Sequence, residues 1–164
     1  MTASTFASVF AAFVLAAVAW RLWLGARQMR HVALHREQVP ADFAAFISPE
    51  SHRKAADYTR DKQRLGLAET VVIDGVVLLA FTVGGGVAFI DAQSQRLLGD
   101  GWLRELGTVF GVLLASTLAT LPFDLYRTFV TEERHGFNRM TARLFAADLL
   151  KGMALAVLLG APLL

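Results

Sequence analysis

Long apolar runs without charge are the feature that most constrains how this chain can fold. Leu106–Phe123 has 18 residues with no charged side chain, and Met1–Trp20 has 20 such residues. At ~1.5 Å per residue, a helix of about twenty residues crosses the ~30 Å hydrocarbon core of a bilayer. Charged blocks separate the runs, a pattern that is typical of helical membrane proteins. The sequence therefore predicts an all-α, polytopic integral membrane protein.

About four transmembrane helices are predicted, near residues 4–24, 71–90, 106–123 and 145–164. The first is predicted to be retained, because a cleaved signal peptide has its basic residues before the apolar run and here they follow it. In the second, Gly84-Gly85-Gly86 permits a kink or a close helix approach. Pro122 is expected to end the third. The uncharged part of the fourth, Gly152–Leu164, is short for a span, so we expect either that Leu144–Lys151 also enters the membrane or that the natural chain continues.

The segment Arg21–Arg64 holds nine of the 16 Lys and Arg residues. Ser48 and Pro49 are typical of a helix start, and they predict an amphipathic surface helix in this first loop, running to Arg64. Basic loops favour the cytoplasmic side. We therefore expect cytoplasmic loops near residues 25–66 and 124–144, an outside N-terminus and a bacterial inner membrane. Membrane lipid is an expected partner, whereas the interleaved acids argue against nucleic acid.

His31 and His35 have the spacing of the histidines in a zinc-protease helix. That motif needs a Glu directly after the first His to activate water, and Val32 stands there. Arg30 and Arg36 flank the pair and oppose a divalent cation. A solvated pair of histidines beside the membrane is the favoured interpretation.

Three charged residues within the predicted spans are candidates for a role there, namely Asp74, Asp148 and Lys151. Asp74 is a functional candidate because intramembrane acids often are. It could equally lie near the interface or pair with a basic residue of another span, and both interpretations stay open. Asp148 and Lys151 are spaced for an ion pair, which is favoured over a functional role. A small transporter that uses Asp74 and Lys151 lacks the support of sequence repeats.

The segment between the third and fourth spans combines aromatic and charged residues. Glu132 and Glu133 could serve acid/base chemistry, but a local role in capping and in ion pairing with Arg134 is favoured. Gly136 fits the left-handed position that ends many helices. Asn138 and Thr141 can satisfy backbone groups where the next helix begins. These residues predict a rigid polar turn.

The same segment carries a pattern that resembles a known family. The matching residues are Pro122, Tyr126, Thr128, Phe129, Val130, Glu132, Glu133, Gly136, Phe137, Asn138 and Thr141, followed by Asp148 and Lys151. The first loop is similar as well, from Val39-Pro40 through Ile47, Glu50, Tyr58 and Lys62. This resembles the N-terminal region of the CAAX prenyl protease 1 family, which are integral-membrane zinc metalloproteases.

The resemblance implies a multi-helix membrane enclosure around a chamber, with a zinc site in a catalytic region that this chain does not contain. No catalytic or metal-binding residue carries over, since HExxH and the third ligand are missing. The motif residues are expected to be structural or to face the chamber. The implied partners are the C-terminal catalytic region of the same protein and membrane-protein or lipidated-peptide substrates.

The resemblance thus predicts a membrane scaffold that forms part of the chamber wall of a zinc metalloendopeptidase. Zinc is expected in the full-length family, but this chain alone is predicted to bind no stoichiometric zinc and to be inactive. The alternative is a stand-alone, non-catalytic four-helix membrane protein that scaffolds or binds a partner.

Overall fold

The computed structural model describes residues 2–163, and within these residues the regular structure is entirely helical. Its main helices are α1 (Ala3–Leu34), α2 (Pro49–Thr82), α3 (Gly86–Leu98), α4 (Trp102–His135) and α5 (Ala142–Gly160). Short 3-10 turns lie at Ala41–Phe43 and Ala161–Leu163. In the described part of the chain, α1, α2 and α4 are long and apolar enough to cross a membrane. The predicted all-α membrane class is confirmed.

The first-loop helix begins as predicted but is not a separate surface element. Ser48 caps α2, its hydroxyl accepting a hydrogen bond from the Ser51 amide at 3.1 Å, with Pro49 at the first position. The helix then continues past Arg64 into the second span, as far as Thr82. No proline interrupts it, and an interior glycine costs only ~1 kcal/mol. The amphipathic segment and the first part of the second span therefore form one helix.

The second predicted span is divided at its glycines. Gly85 has a φ of 79°, in the left-handed region that favours glycine, and it separates α2 from α3. The sequence allowed a kink here, and the structure has a full break. Beyond the break α3 packs on the start of α4, where a Cβ on Gly107 would lie 2.5 Å from Leu98 Cδ1. Arg104 Nε donates to Asp91 Oδ1 at 2.8 Å and ties the same two helices together.

Two boundaries near the end of the chain also differ from expectation. Pro122 lies inside α4 rather than at its end, because the loss of one backbone hydrogen bond does not stop a long helix. The helix widens into π-turns over Arg127–Glu132 and ends at His135. The fourth predicted span overlaps α5, which is not among the three described helices that are long and apolar enough to cross a membrane, so the predicted number of spans differs from that of the structure. The last residue of that predicted span, Leu164, lies outside the described residues.

The helices bury few apolar side chains against one another. Val18 and Ala56 are the buried hydrophobic residues within the described part of the chain. By contrast, Phe13 is 73% exposed and Leu158 is 67% exposed. Extended apolar surfaces of this kind are suited to lipid tails or to further helices.

Candidate functional site

The amphipathic half of α2 meets the end of α4 at a small cluster that we call the α2–α4 junction, formed by Tyr58, Asp61, Thr131, His135 and Phe137. The Tyr58 ring lies edge-on to His135 at 5.3 Å and to Phe137 at 4.8 Å between ring centroids. His135 Nε2 donates to Asp61 Oδ2 at 3.1 Å. His135 and Thr131 are buried, at 8% and 3% exposure. The junction thus joins segments that lie 74 residues apart in the chain.

A glycine-dependent helix end sets the position of Phe137. Gly136 has a φ of 75°, and its amide donates to the Glu133 carbonyl at 3.0 Å. The Phe137 amide donates to the Glu132 carbonyl at 2.8 Å. These two bonds form a Schellman motif, which reverses the chain directly after the helix. The predicted left-handed position of Gly136 is confirmed, and the reversal turns Phe137 toward Tyr58.

The next residues connect this turn to α5 through side-chain hydrogen bonds. Asn138 Oδ1 accepts from the Met140 amide at 2.7 Å, and its Nδ2 donates to Glu133 Oε2 at 2.9 Å. Thr141 Oγ1 accepts from the Leu144 amide at 3.2 Å and caps α5. Asn138 and Thr141 therefore have the capping roles that were expected of them.

Arg134 reaches across the junction rather than pairing with its neighbouring glutamates. Its Nη1 lies 3.4 Å from Asp61 Oδ2, so Arg134 and His135 both contact the same carboxylate oxygen of Asp61. A cavity of about 320 Å³ opens beside this contact and is lined by Tyr126, Thr131 and Arg64 among others. The junction therefore combines a buried polar core with an accessible polar pocket.

A second ion pair holds the polar half of α2 to the segment after α1. Arg36 donates through Nε and Nη2 to the two oxygens of Asp57, at 2.8 and 2.7 Å. This bidentate geometry is the strong form of an arginine–carboxylate pair. The hydrogen bond from Arg36 lowers the pKa of Asp57 below its usual value. The lowered pKa keeps Asp57 ionised below the pH at which an ordinary aspartate is protonated, so the ion pair with Arg36 persists into more acidic conditions.

Polar contacts also connect the helices where they enter their apolar halves. Both α2 and α4 contain π-turns, over Thr70–Val77 and Arg127–Glu132. Arg127, which begins the π-turns of α4, forms an ion pair with Glu69, which immediately precedes those of α2. Arg127 also donates to Asp124 at 2.9 Å. Local π-turns of this type are frequent at functional sites.

The three charged candidates of the predicted spans, Asp74, Asp148 and Lys151, form ion pairs. Asp74 forms an ion pair with Arg21 of α1, one of the two interpretations left open by the sequence. Lys151 Nζ lies 3.8 Å from Asp148 Oδ1, which is the ion pair expected from their spacing. Phe129 packs edge-on against Phe145, with 5.7 Å between ring centroids, and brings α4 to α5.

Several junction residues escaped sequence reasoning. Neither Asp61 and His135 of the junction nor Arg127, elsewhere in α4, was predicted to contact a distant part of the chain. One signal was present, because Tyr58 and Lys62 belong to the first-loop resemblance and Phe137 belongs to the signature segment, which is the family pattern over Pro122–Thr141. The structure brings these two parts of the pattern into contact, with Lys62 Nζ also lying 5.9 Å from the centre of the Tyr58 ring.

The His31–His35 pair does not have the geometry of a zinc site. The described residues contain no group of three or more His, Cys, Asp or Glu side chains placed to hold a metal ion. The rings of His31 and His35 lie 4.2 Å apart between centroids and are tilted by 37°, and His35 Nδ1 donates to the His31 carbonyl at 2.9 Å. A catalytic zinc needs three protein ligands and an open position, which this pair does not provide.

Known proteins share both the sequence and the fold of this chain. A family model described as the CAAX prenyl protease N-terminal region, with five membrane helices, matches residues 28–164. The probable CAAX prenyl protease 1 of Schizosaccharomyces pombe is 34% identical, over 92% of this chain and 34% of its own length. The CAAX prenyl protease 1 homolog of Homo sapiens is 33% identical, over 80% of this chain and 29% of its own length.

A solved structure agrees with these matches at the level of the fold. The crystal structure of S. mikatae Ste24p aligns with a TM-score of 0.85 and 24% identity, over 95% of this chain and 37% of that chain. The chain thus spans about a third of the length of the curated relatives it matches. The sequence match, the shared fold and the helices long enough to cross a bilayer agree: this integral membrane chain belongs to the CAAX prenyl protease family and corresponds to its N-terminal membrane region.

Proposed function

We propose that this chain forms part of the membrane chamber wall of a CAAX prenyl protease-like zinc metalloendopeptidase and presents the α2–α4 junction to the catalytic region of that enzyme. Zinc and the peptide-cleaving residues would be supplied by the catalytic region. Prenylated or other membrane-bound peptides would be the substrates. The relatives named above all carry the CAAX prenyl protease name or the Ste24p fold, which supports this assignment.

Some residues of the signature segment are bonded within the turn and others are exposed, and this difference is the observation that carries the proposal. Glu133, Gly136, Asn138 and Thr141 are engaged in the turn itself, which supports a structural role for them. Phe137 is 55% exposed and Tyr126 is 47% exposed, although both belong to the same pattern. Exposed aromatic residues on a rigid turn are suited to anchoring a partner surface. We assign Tyr126 and Phe137 to contact with the catalytic region or the chamber.

The charge distribution supports an orientation for this assembly. The α2–α4 junction lies among the most basic parts of the chain, which favours the cytoplasmic side. We therefore propose that the loops near residues 25–66 and 124–144 are cytoplasmic and that the N-terminus is outside. The relatives named above are eukaryotic and give no support to a bacterial inner membrane, so the proposal concerns only the side of the membrane.

A chimera tests the function directly. This chain replaces the matching N-terminal third of the S. pombe protein, and the chimera is assayed in membranes for cleavage of a prenylated CAAX peptide. We expect the chimera to bind zinc and to cleave the peptide. We expect Phe137→Ala to lower the cleavage rate about tenfold, equivalent to ~1.4 kcal/mol, with unchanged zinc content.

Phe13→Ala is the matched control, because it removes an exposed aromatic ring from α1, far along the chain from the junction. It should leave the rate unchanged. An inserted and zinc-loaded chimera without cleavage would overturn the proposed function and favour a stand-alone scaffold. Equal rates for the Phe137→Ala and parent chimeras would overturn the assigned contact.

A further inference from the structure

A groove of about 710 Å³ separates α1 from α2 at the level where both helices change from charged to apolar sequence. Its polar lining is basic or neutral: Arg21, Arg27, Gln28, His31, Gln63 and Thr70. None of the residues that line it is acidic. We propose that this groove binds the phosphate headgroup of an anionic phospholipid.

The depth of the groove matches the headgroup layer on both of its walls. On α1, Arg21 directly follows the charge-free residues 1–20. On α2, Thr70 lies just before the apolar stretch that begins at Val71. Trp20 and Trp23 stand at the same level, exposed and 5.1 Å apart between ring centroids. Exposed tryptophans are characteristic of the membrane–water interface.

The charge that a phosphate would meet comes chiefly from Arg27. Its guanidinium lies 5.7 Å from the centre of the Trp23 ring, and it forms no ion pair with a carboxylate of the described residues. Arg21 already forms an ion pair with Asp74, which offsets its charge, so Arg21 contributes mainly hydrogen-bond donors. A guanidinium matches two phosphate oxygens at once, and basic pockets between membrane helices bind anionic headgroups.

The shape of the groove leaves room for such a headgroup. The helices are close at Gly25, where a Cβ would lie 2.5 Å from Leu67 Cδ2. The groove is open at Gly66, which follows Gln63 by about one turn of α2, because a Cβ on Gly66 would meet no heavy atom within 4 Å. Leu24 and Leu67 line the groove beside these glycines and provide apolar contact for the start of an acyl chain.

Native mass spectrometry of the full chain in an uncharged detergent tests the proposal, with dioleoyl phosphatidylglycerol as the probe and dioleoyl phosphatidylcholine as the neutral lipid. We expect one retained phosphatidylglycerol and about tenfold weaker retention by Arg27→Gln. Gly66→Leu should weaken retention similarly, because it fills the groove without changing the charge. Leucine also favours helix more than glycine does, so this variant retains the fold.

Two control variants distinguish an effect on the groove from the general effects of removing a positive charge or adding a large side chain. Arg30→Gln removes the same charge from α1 outside the groove, and Gly152→Leu adds the same side chain at an equally open position of α5. Both should retain the lipid as the parent chain does. Undiminished binding by Arg27→Gln or Gly66→Leu, or equal loss by Arg30→Gln, would overturn the proposal. Displacement of the lipid by excess inorganic phosphate would assign the groove to a free anion instead. No proteolysis is measured, so the result does not depend on the proposed function.

Discussion

Gly136 shows at the level of a single residue how the backbone places the signature turn. Its φ of 75° is tolerated by glycine, and the Schellman bonds on either side depend on that conformation. A Cβ at this position would meet no heavy atom within 4 Å. The cost of a larger residue would therefore arise from backbone strain and not from a clash.

Gly136→Ala is expected to lower the stability of the chain by about 1 kcal/mol, because alanine disfavours the left-handed conformation. Circular dichroism during heating in detergent would measure this as a lower unfolding midpoint. Gly152→Ala is the matched control, since Gly152 is equally open but lies inside α5. There alanine should raise stability by up to ~1 kcal/mol through helix propensity. A midpoint for Gly136→Ala at or above that of the parent chain would contradict the role assigned to this glycine.

At the level of elements, α2 and α4 are joined by polar contacts at two heights. The junction lies at the polar end, and the Glu69–Arg127 ion pair lies where the apolar halves begin. Each member of the pair adjoins the π-turns of its own helix, at Thr70–Val77 and Arg127–Glu132. The pair therefore fixes the relative height of the two helices at the points where their hydrogen-bond ladders are irregular.

The difference between local and distant interactions explains what the sequence could predict. Ser48, Gly136 and Thr141 act on backbone groups within a few residues, and their roles were predictable from residue type and spacing. Glu69 and Arg127 are 58 residues apart, so nothing in the local pattern of either indicates the other. The sequence predicted a surface helix and a separate span where the structure has the continuous α2. The change from charged to apolar sequence marks the membrane surface there, and it does not mark the end of a helix.

Breaking the Glu69–Arg127 pair from one side is expected to cost more than removing both charges. Arg127→Gln leaves the partly buried Glu69, with its side chain 26% exposed, without its ion-pair partner. We expect a loss of about 1–2 kcal/mol, with the Glu69→Gln/Arg127→Gln double variant closer to the parent chain. Heating experiments in detergent would measure both. Lys151→Gln breaks the exposed pair with Asp148 and should change stability by less than ~0.5 kcal/mol. The Glu69→Gln single variant completes the cycle, and a double variant whose loss equals the sum of the two single losses would contradict the coupling.

At the level of the whole molecule, the fold links the sidedness of two loops. The junction brings Tyr58 and Asp61 into contact with His135 and Phe137, so both ends of the contact must lie on one side of the membrane. This conclusion depends on geometry and not on charge. The positive-inside tendency then selects which side, because Arg21–Arg64 carries nine of the 16 basic residues and residues 91–105 carry two.

Reporter fusions after residues 45, 100 and 139 test the two statements separately in cells. We expect cytoplasmic signals at 45 and 139 and an outside signal at 100, because basic loops remain on the cytoplasmic side. Opposite signals at 45 and 139 would contradict the α2–α4 junction itself. Outside signals at both would leave the fold intact and reverse the orientation. If charge sets the orientation, neutralising the arginines of the first loop should alter the topology. If the signals at 45 and 139 are both outside, the same change should not alter it.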